Sequence, residues 1–192
     1  MVIGITGNSG SGKSEVSKIL AEKLHAEIVD ADEVVRIISE PGNEYYEKQV
    51  ELFGEEILIN NKLNKSKIAE IIYNNVDKRE TLNKLTYKYV VDEIKFQVKT
   101  KNTKNVIIDV TLLFESGLNK MCDFTIGVIA KRKIKIDRIC KRDNISIETA
   151  ESRLNIQKND EYYIQNTDYI IENNGQLNEI NLEEICTKIG KN

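Results

Sequence analysis

Residues 7–14 read Gly7-Asn8-Ser9-Gly10-Ser11-Gly12-Lys13-Ser14 and satisfy the pattern G-x-x-x-x-G-K-[ST]. The pattern constrains its flanks as well, because it is meaningful only between a buried strand and the first turn of a helix. Val2, Ile3 and Ile5 form a short apolar run rich in β-branched residues, which predicts the strand. Val16, Ile19, Leu20 and Leu24 recur at helical spacing among charged residues, which predicts an amphipathic helix over residues 14–25. Glycine is concentrated here: Gly4, Gly7, Gly10 and Gly12 are four of the ten in the chain. That clustering is expected where backbone approaches a ligand closely or takes positive φ.

A polyphosphate needs many donors at short range. In such a loop the backbone N–H groups from Ser9 to Glu15 turn inward, and the helix N-terminus adds positive potential. We therefore expect Gly7, Ser9, Gly10, Ser11, Gly12, Lys13, Ser14 and Glu15 to bind a nucleoside triphosphate, with Lys13 reaching the β and γ phosphates and the Ser14 hydroxyl on Mg²⁺, which leaves kinase, GTPase switch and motor open. Gly4 lies in the strand beneath and is expected to serve packing.

Further short apolar runs at Ile28-Val29-Asp30, 106–109, 124–130 and 169–171 alternate with helical patterns. Runs 106–109 and 124–130 are continuously hydrophobic, as parallel strands covered on both faces are. The alternation predicts an α/β fold, with ligand sites at the carboxyl ends of the strands. Asp32-Glu33 opens a helix that Pro41-Gly42 ends. Residues 43–100 read as helical and polar, with Leu82, Leu85, Tyr89 and Phe96 as one apolar stripe and no convincing strand. Residues 131–157 read as two short helices broken near Asn144, with Ser146 capping the second. Leu177, Ile180, Ile185 and Ile189 mark a closing helix.

Charge bears on function by exclusion. Lys and Arg number 28 against 31 Asp and Glu, a net charge of −3, which argues against sequence-independent nucleic-acid binding. The start lacks the basic and apolar regions of a secretory signal, and no apolar stretch approaches a membrane span. A cytosolic protein without membrane partners is expected, a monomer by default with an oligomer left open. Cys122, Cys140 and Cys186 are widely spaced and accompanied by a single histidine, His25. They read as small reduced hydrophobes rather than a disulfide framework or zinc site. His25, at the end of the first helix, reads as structural or exposed.

The other strand ends carry the remaining chemistry. Asp109 closes an apolar strand, where a carboxylate commonly supports the Mg²⁺ of a phosphate loop; a turn or helix cap is the alternative. Asp30 and Asp32 follow the second strand, beside the loop where an acceptor would lie. A carboxylate there can take the proton of an attacking hydroxyl. An Asp before a helix is otherwise an N-cap, and Asp32 is the better candidate for the base. Lys131, Arg132, Lys133, Lys135, Arg138, Lys141 and Arg142 form a basic cluster in an acidic chain. Arg138 and Arg142 are spaced to share a helix face and to gather over a transferring phosphoryl group. Lys131 to Lys135 read as a solvated face.

With those residues in hand, the chain resembles the dephospho-coenzyme A kinase family nearly end to end. The likeness rests on the phosphate loop; Val29-Asp30-Ala31-Asp32 with Arg36; Phe53-Gly54 and Ile57-Leu58; Asp109-Val110 with Leu112-Leu113-Phe114-Glu115-Ser116-Gly117; Arg138 and Arg142; Ser146, Glu148, Ala150, Arg153 and Gln157; and Asp168 to Asn173 with Gly175. The resemblance implies a P-loop NTPase core, a five-stranded parallel sheet wrapped by helices, with a helical acceptor-binding insertion and a helical lid. It places the core at about 1–42, 101–130 and 158–192, the insertion at 43–100 and the lid at 131–157 of a single kinase domain. It implies transfer of the γ phosphate of ATP to the ribose 3′-hydroxyl of dephospho-coenzyme A, the last step of coenzyme A synthesis. Asp32 would be the base, and Lys13, Arg138, Arg142 and Mg²⁺ would stabilise the phosphoryl group. Asp30, Arg36 and Leu112, Leu113, Phe114 and Glu115 would help hold the acceptor.

The chain departs from the family where a His-Pro pair is usual and Leu82-Asn83-Lys84-Leu85-Thr86-Tyr87 stands instead, at Thr111 in place of proline, and at Glu15 in place of Thr or Ser. The rival reading is another small-molecule kinase of this architecture, such as a nucleoside monophosphate kinase. A GTPase switch fits poorly. Asn119-Lys120-Met121-Cys122 nearly mimics the guanine motif Asn-Lys-x-Asp, but the carboxylate arrives one position late, at Asp123.

Overall fold

The computed structural model describes residues 1–73, 75–175 and 182–189. It divides into two compact units, Met1–Val29 with Lys101–Asn192 and, separately, Asp30–Thr100. In chain order the first unit begins with β1 (Val2–Thr6), α1 (Lys13–Leu24) and β2 (Glu27–Asp30), whose last residue opens the second unit. The second unit holds α2 (Ala31–Ile38), α3 (Glu44–Phe53), β3 (Leu58–Ile59), β4 (Lys62–Leu63), α4 (Lys65–Tyr73) and α5 (Val76–Thr100). The chain then returns through β5 (Val106–Asp109), β6 (Phe124–Ile129), α6 (Arg132–Asp143), α7 (Ile147–Asn155), α8 (Asp160–Asn166), β7 (Tyr169–Glu172) and α9 (Leu182–Ile189).

The expected parallel sheet is present, with five strands in the order β2-β5-β1-β6-β7. β1 is central. It pairs in parallel with β5, Ile3 opposite Ile107 and Ile5 opposite Asp109, and on its other side with β6, Ile5 opposite Ile126. Every residue of β5 and β6 is buried, as continuous apolar runs require when helices cover both faces. Ile3, Ile5, Ile107, Ile126 and Val128 pack with Val16 and Leu20 of α1 and with Ile185 and Ile189 of α9. The part of the closing helix expected at Leu177 and Ile180 lies outside the described residues.

The second unit departs from the all-helical expectation. Leu58–Ile59 and Lys62–Leu63 pair antiparallel, and Asn60 and Asn61 between them have φ of 49° and 60°. Both residues of a two-residue hairpin loop take that left-handed geometry, which asparagine tolerates better than most side chains. The apolar stripe of α5 also differs. Leu82 is buried, but Phe96 is 61% exposed and Ile94 is fully enclosed. At 25 residues α5 is roughly 37 Å long. It outruns the shorter helices of its unit, so no single stripe stays covered. The helix continues through Leu82 to Tyr87, where Thr86 Oγ1 lies 2.7 Å from the Tyr45 hydroxyl.

Gly4 serves close packing. A Cβ there would lie 2.8 Å from both Cys122 Sγ and Leu113 Cδ2. Burial, reinforced by Asp123 and Asp168, pushes the Cys122 thiol up to about 12, so it stays protonated at neutral pH. Cys140 is a free thiol, packed against the cluster formed by Ile136, Ile139, Ala150 and Leu154. The side chain of Cys186 lies outside the described residues. Asp123, the misplaced carboxylate of the guanine-like motif, accepts a hydrogen bond from Val2 N–H at 2.7 Å, which gives it a place between the starts of β1 and β6.

Gly4→Ala is expected to destabilise the protein by about 1–3 kcal/mol through overpacking, read as a lower urea midpoint. In the native wild-type protein Cys122 is expected to resist alkylation at pH 8, checked by peptide mapping.

Candidate active site

The strand order sets the site. The chain leaves β1 toward β2 on one side and later crosses to β6 on the other, so the winding reverses next to β1, and crevices form at the carboxyl ends of strands at such a point. The loop after β1 and Asp109 at the end of β5 are therefore neighbours. Lys13 Nζ donates to Asp109 Oδ1, and the Ser17 hydroxyl donates to Asp109 Oδ2 at 2.9 Å. Asp109 is 1% exposed and the Lys13 side chain 14%. A carboxylate so enclosed requires charge and hydrogen-bond compensation, and Lys13 and Ser17 supply both.

The loop's backbone explains two of its glycines. Gly10 has φ 76° and a Cβ there would lie 2.5 Å from the Lys135 carbonyl oxygen; Gly12 has φ 87° and its Cβ would lie 2.0 Å from Asn173 Nδ2. Any other residue at Gly12 would be both strained and in collision. Some N–H groups expected to face a phosphate are engaged by the protein itself. Ser9 N–H donates to Gln157 Oε1 at 2.9 Å, Ser11 N–H to Asn8 O at 3.1 Å and Glu15 N–H to Gly12 O at 3.1 Å. Ser14 is exposed in the first turn of α1. The buried Ser11 hydroxyl has no hydrogen-bond partner among the described residues.

The segment after β6 supports the loop. Arg138 NH1 reaches Gly10 O at 3.3 Å and Ser11 O at 3.2 Å. Lys135, expected on a solvated face, is 6% exposed and pairs with Asp160 at 2.7 Å, because its helix turns that side onto the loop at Gly10. Gln157 Nε2 donates to Ser9 Oγ at 2.9 Å, and Asn8 Nδ2 donates to Lys158 O at 2.7 Å. A cleft of about 370 Å³ opens here, lined in part by Asn8, Arg132, Lys135, Gln157, Lys158 and Asp160. Arg142 is exposed and makes two hydrogen bonds to Asp143, which also pairs with Arg153. The break between α6 and α7 falls where expected, with Ser146 Oγ accepting from Thr149 N–H at 3.3 Å.

The segment after β5 presents alternate faces. Leu112 is exposed and Glu115 lies outward, whereas Leu113 is fully buried against Gly4. Leu113, expected to help hold an acceptor, packs here beside Gly4. Phe114 meets Tyr162 edge to face at 6.1 Å. Thr111, in the usual proline position, accepts a hydrogen bond on its carbonyl from Thr6 Oγ1 at 2.8 Å.

In the second unit, Asp30 Oδ1 accepts from the N–H groups of Asp32 and Glu33 at 2.8 and 3.3 Å and so caps α2. This is the N-cap alternative, realised at Asp30. Asp32 is exposed in the first turn of α2, and Arg36 pairs with Glu33 at 3.1 Å.

A model of the dephospho-CoA kinase family matches residues 1–179. The chain belongs to the dephospho-CoA kinase family. It is 38% identical over 192 residues to the dephospho-CoA kinase of Fusobacterium nucleatum, covering 98% of each chain. The structure of the Campylobacter jejuni dephospho-CoA kinase superposes with a TM-score of 0.70 at 25% identity, over 99% of this chain and 97% of that one. The Thermus thermophilus protein TT1252 shares the fold, with a TM-score of 0.81 at 24% identity over 98% and 97%. Membership makes the chain a P-loop phosphotransferase with ATP as donor. Among the described residues no helix is long and apolar enough to cross a membrane.

Ser17, Gln157 and Asn173 were not singled out as site residues by sequence reasoning. Their partners lie 92, 148 and 162 residues away, and only the family resemblance at Gln157 and Asn173 pointed to two of them.

The Arg142 and Arg153 guanidinium groups hold the Asp143 carboxyl down at about 2. A depressed carboxylate contributes stability above its unfolded value near 3.8 and loses it as pH falls through 2. Carboxyl carbon NMR is expected to place the Asp143 midpoint near 2, with the pairing intact at pH 5.

Proposed function

We propose that this chain transfers the γ-phosphoryl group of ATP to the 3′-hydroxyl of the ribose of dephospho-coenzyme A, forming coenzyme A and ADP. The observation that carries the reading is the meeting of Lys13 with Asp109 at the ends of β1 and β5, in a chain that matches this family over residues 1–179.

Phosphoryl transfer asks a protein mainly for positioning and charge stabilisation. In this reading the loop's N–H groups and Lys13 hold the β and γ phosphates. Asp32 accepts the proton of the acceptor hydroxyl as its oxygen bonds to the γ phosphorus. The bond to the β–γ bridging oxygen breaks, and ADP carries that electron pair away. Arg142 is assigned to the charge over the phosphoryl group. Arg138 acts with it, from the side of the loop carbonyls it already touches. Arg36, the exposed Leu112 and Glu115, and residues 43–100 hold the acceptor, and residues 131–157 act as the lid.

Ser14 and Asp109 are the side chains assigned to Mg²⁺. Both offer oxygen, the donor that a hard cation takes, and Mg²⁺ is commonly held by one or two protein oxygens together with substrate phosphates. Among the described residues no cluster of three His, Cys, Asp or Glu could hold a metal alone, which suits that shared arrangement. When bound, the ion supplies neutralisation of phosphate charge. The remaining elements of the reading are a monomer acting in the cytoplasm on a small molecule, without nucleic-acid or membrane partners.

A coupled ADP-release assay across acceptors tests the reading: release is expected with dephospho-coenzyme A, and activity confined to a nucleoside monophosphate would overturn it. Asp32→Asn is expected to lower turnover by about 10²- to 10⁴-fold with ATP affinity nearly intact. A large loss of ATP binding would instead assign Asp32 to the nucleotide. Lys13→Ala is expected to weaken both binding and turnover.

A further inference from the structure

A loop whose N–H groups converge on a phosphate turns carbonyls the other way, and buried carbonyls need donors of their own. Those donors come from two residues distant in sequence. Ser11 O accepts from Asn173 Nδ2 at 2.8 Å and from Arg138 NH1 at 3.2 Å. The same NH1 reaches Gly10 O at 3.3 Å and Asn173 O at 3.2 Å, and NH2 donates to Asn173 Oδ1 at 3.2 Å. Asn173 is 2% exposed, and its own N–H donates to Ile129 O at 2.8 Å, which fixes it to the end of β6.

This geometry determines which way the amide faces. Its oxygen meets a guanidinium and its nitrogen meets a carbonyl, so a reversed amide would lose both bonds. The amide nitrogen also occupies the space a side chain at Gly12 would need. The loop is thereby held from its carbonyl side. Ser11 O belongs to the same peptide group as Gly12 N–H, and a donor and a positive charge on the oxygen polarise that peptide toward a stronger N–H.

We propose that Asn173 is a positioning residue for the phosphoryl donor: wedged between Gly12 and the Arg138 guanidinium, it fixes the phosphate loop in the conformation that receives phosphates. The proposal rests on the reading that this loop binds the phosphates of ATP. It reaches the reaction through the loop and Arg138, not by contact with the acceptor. Preorganisation of this kind raises affinity by removing an ordering cost from the binding step.

Calorimetric titration with ATP and with inorganic tripolyphosphate tests it on the wild type, Asn173→Ala and Asn173→Asp. The aspartate keeps the shape and the Arg138 partner but loses the donor to Ser11 O, and so serves if the alanine variant fails to fold. Both variants are expected to lose about tenfold in affinity for both ligands, the loss of one buried hydrogen bond. KM for ATP should rise by the same factor while KM for dephospho-coenzyme A stays unchanged. Weaker ATP binding with unaltered tripolyphosphate binding would overturn the proposal, because it would place Asn173 at the nucleoside. A lowered melting temperature with both affinities unaltered would overturn it as well, leaving a role in stability alone. Failure of the wild type to bind either ligand would overturn the assignment of the loop, and the proposal with it.

Discussion

The parallel pairing of β1 with β5 is the constraint on which the rest depends. It sets Ile5 opposite Asp109, so the loop that leaves β1 emerges where β5 delivers a carboxylate. Lys13 and Asp109 then become each other's counter-charge in a largely dehydrated position. Removing one member of such a pair typically costs about 3–5 kcal/mol, because the other charge stays buried without compensation. A polyphosphate competes for the same ammonium. One pair thus links the sheet's register to the donor site, and Ser17, one turn into α1, holds the carboxylate's second oxygen.

Around that pair, support for the loop comes from segments far along the chain. Gln157 binds Ser9 through both ends of its amide, Arg138 and Asn173 bind the loop's carbonyls, and Lys135 packs behind Gly10 with its charge met by Asp160. A Gly-rich segment on its own has high backbone freedom and a correspondingly large entropy of ordering. Fixing it through side chains of α6, the turn after α7 and the residue after β7 moves that ordering from ligand binding into folding. The same contacts make Lys135 more than part of a solvated face.

How much of this was legible in the sequence follows from the range of each interaction. The phosphate loop is contiguous and its strand and helix signals adjoin it, so loop, fold class and the role of glycine were readable. Ser146 as a cap and the break near Asn144 depend on neighbouring residues and were equally accessible. The hairpin at 58–63 was missed because its strands are two residues long, too short for periodicity, although Asn60-Asn61 carried a turn signal. Lys135 was misjudged because composition reports charge and not the distant Asp160 that satisfies it. Leu112 to Glu115 resembles the family as a block, whereas the turn that follows β5 encloses Leu113 and leaves Leu112 and Glu115 exposed, a difference that the local pattern does not carry. Ser17, Gln157 and Asn173 have partners some 90 to 160 residues away, a juxtaposition that only the folded sheet provides.

The central chemical claim is the identity of the atom that receives the phosphate. ³¹P NMR of the product formed from ATP and dephospho-coenzyme A tests it most directly, with the phosphorus–proton couplings locating the new ester. A new monoester coupled to the ribose 3′ proton, formed with one ADP per product, is the expected result. A phosphate on the 2′ oxygen, or ADP released with dephospho-coenzyme A unmodified, would contradict it.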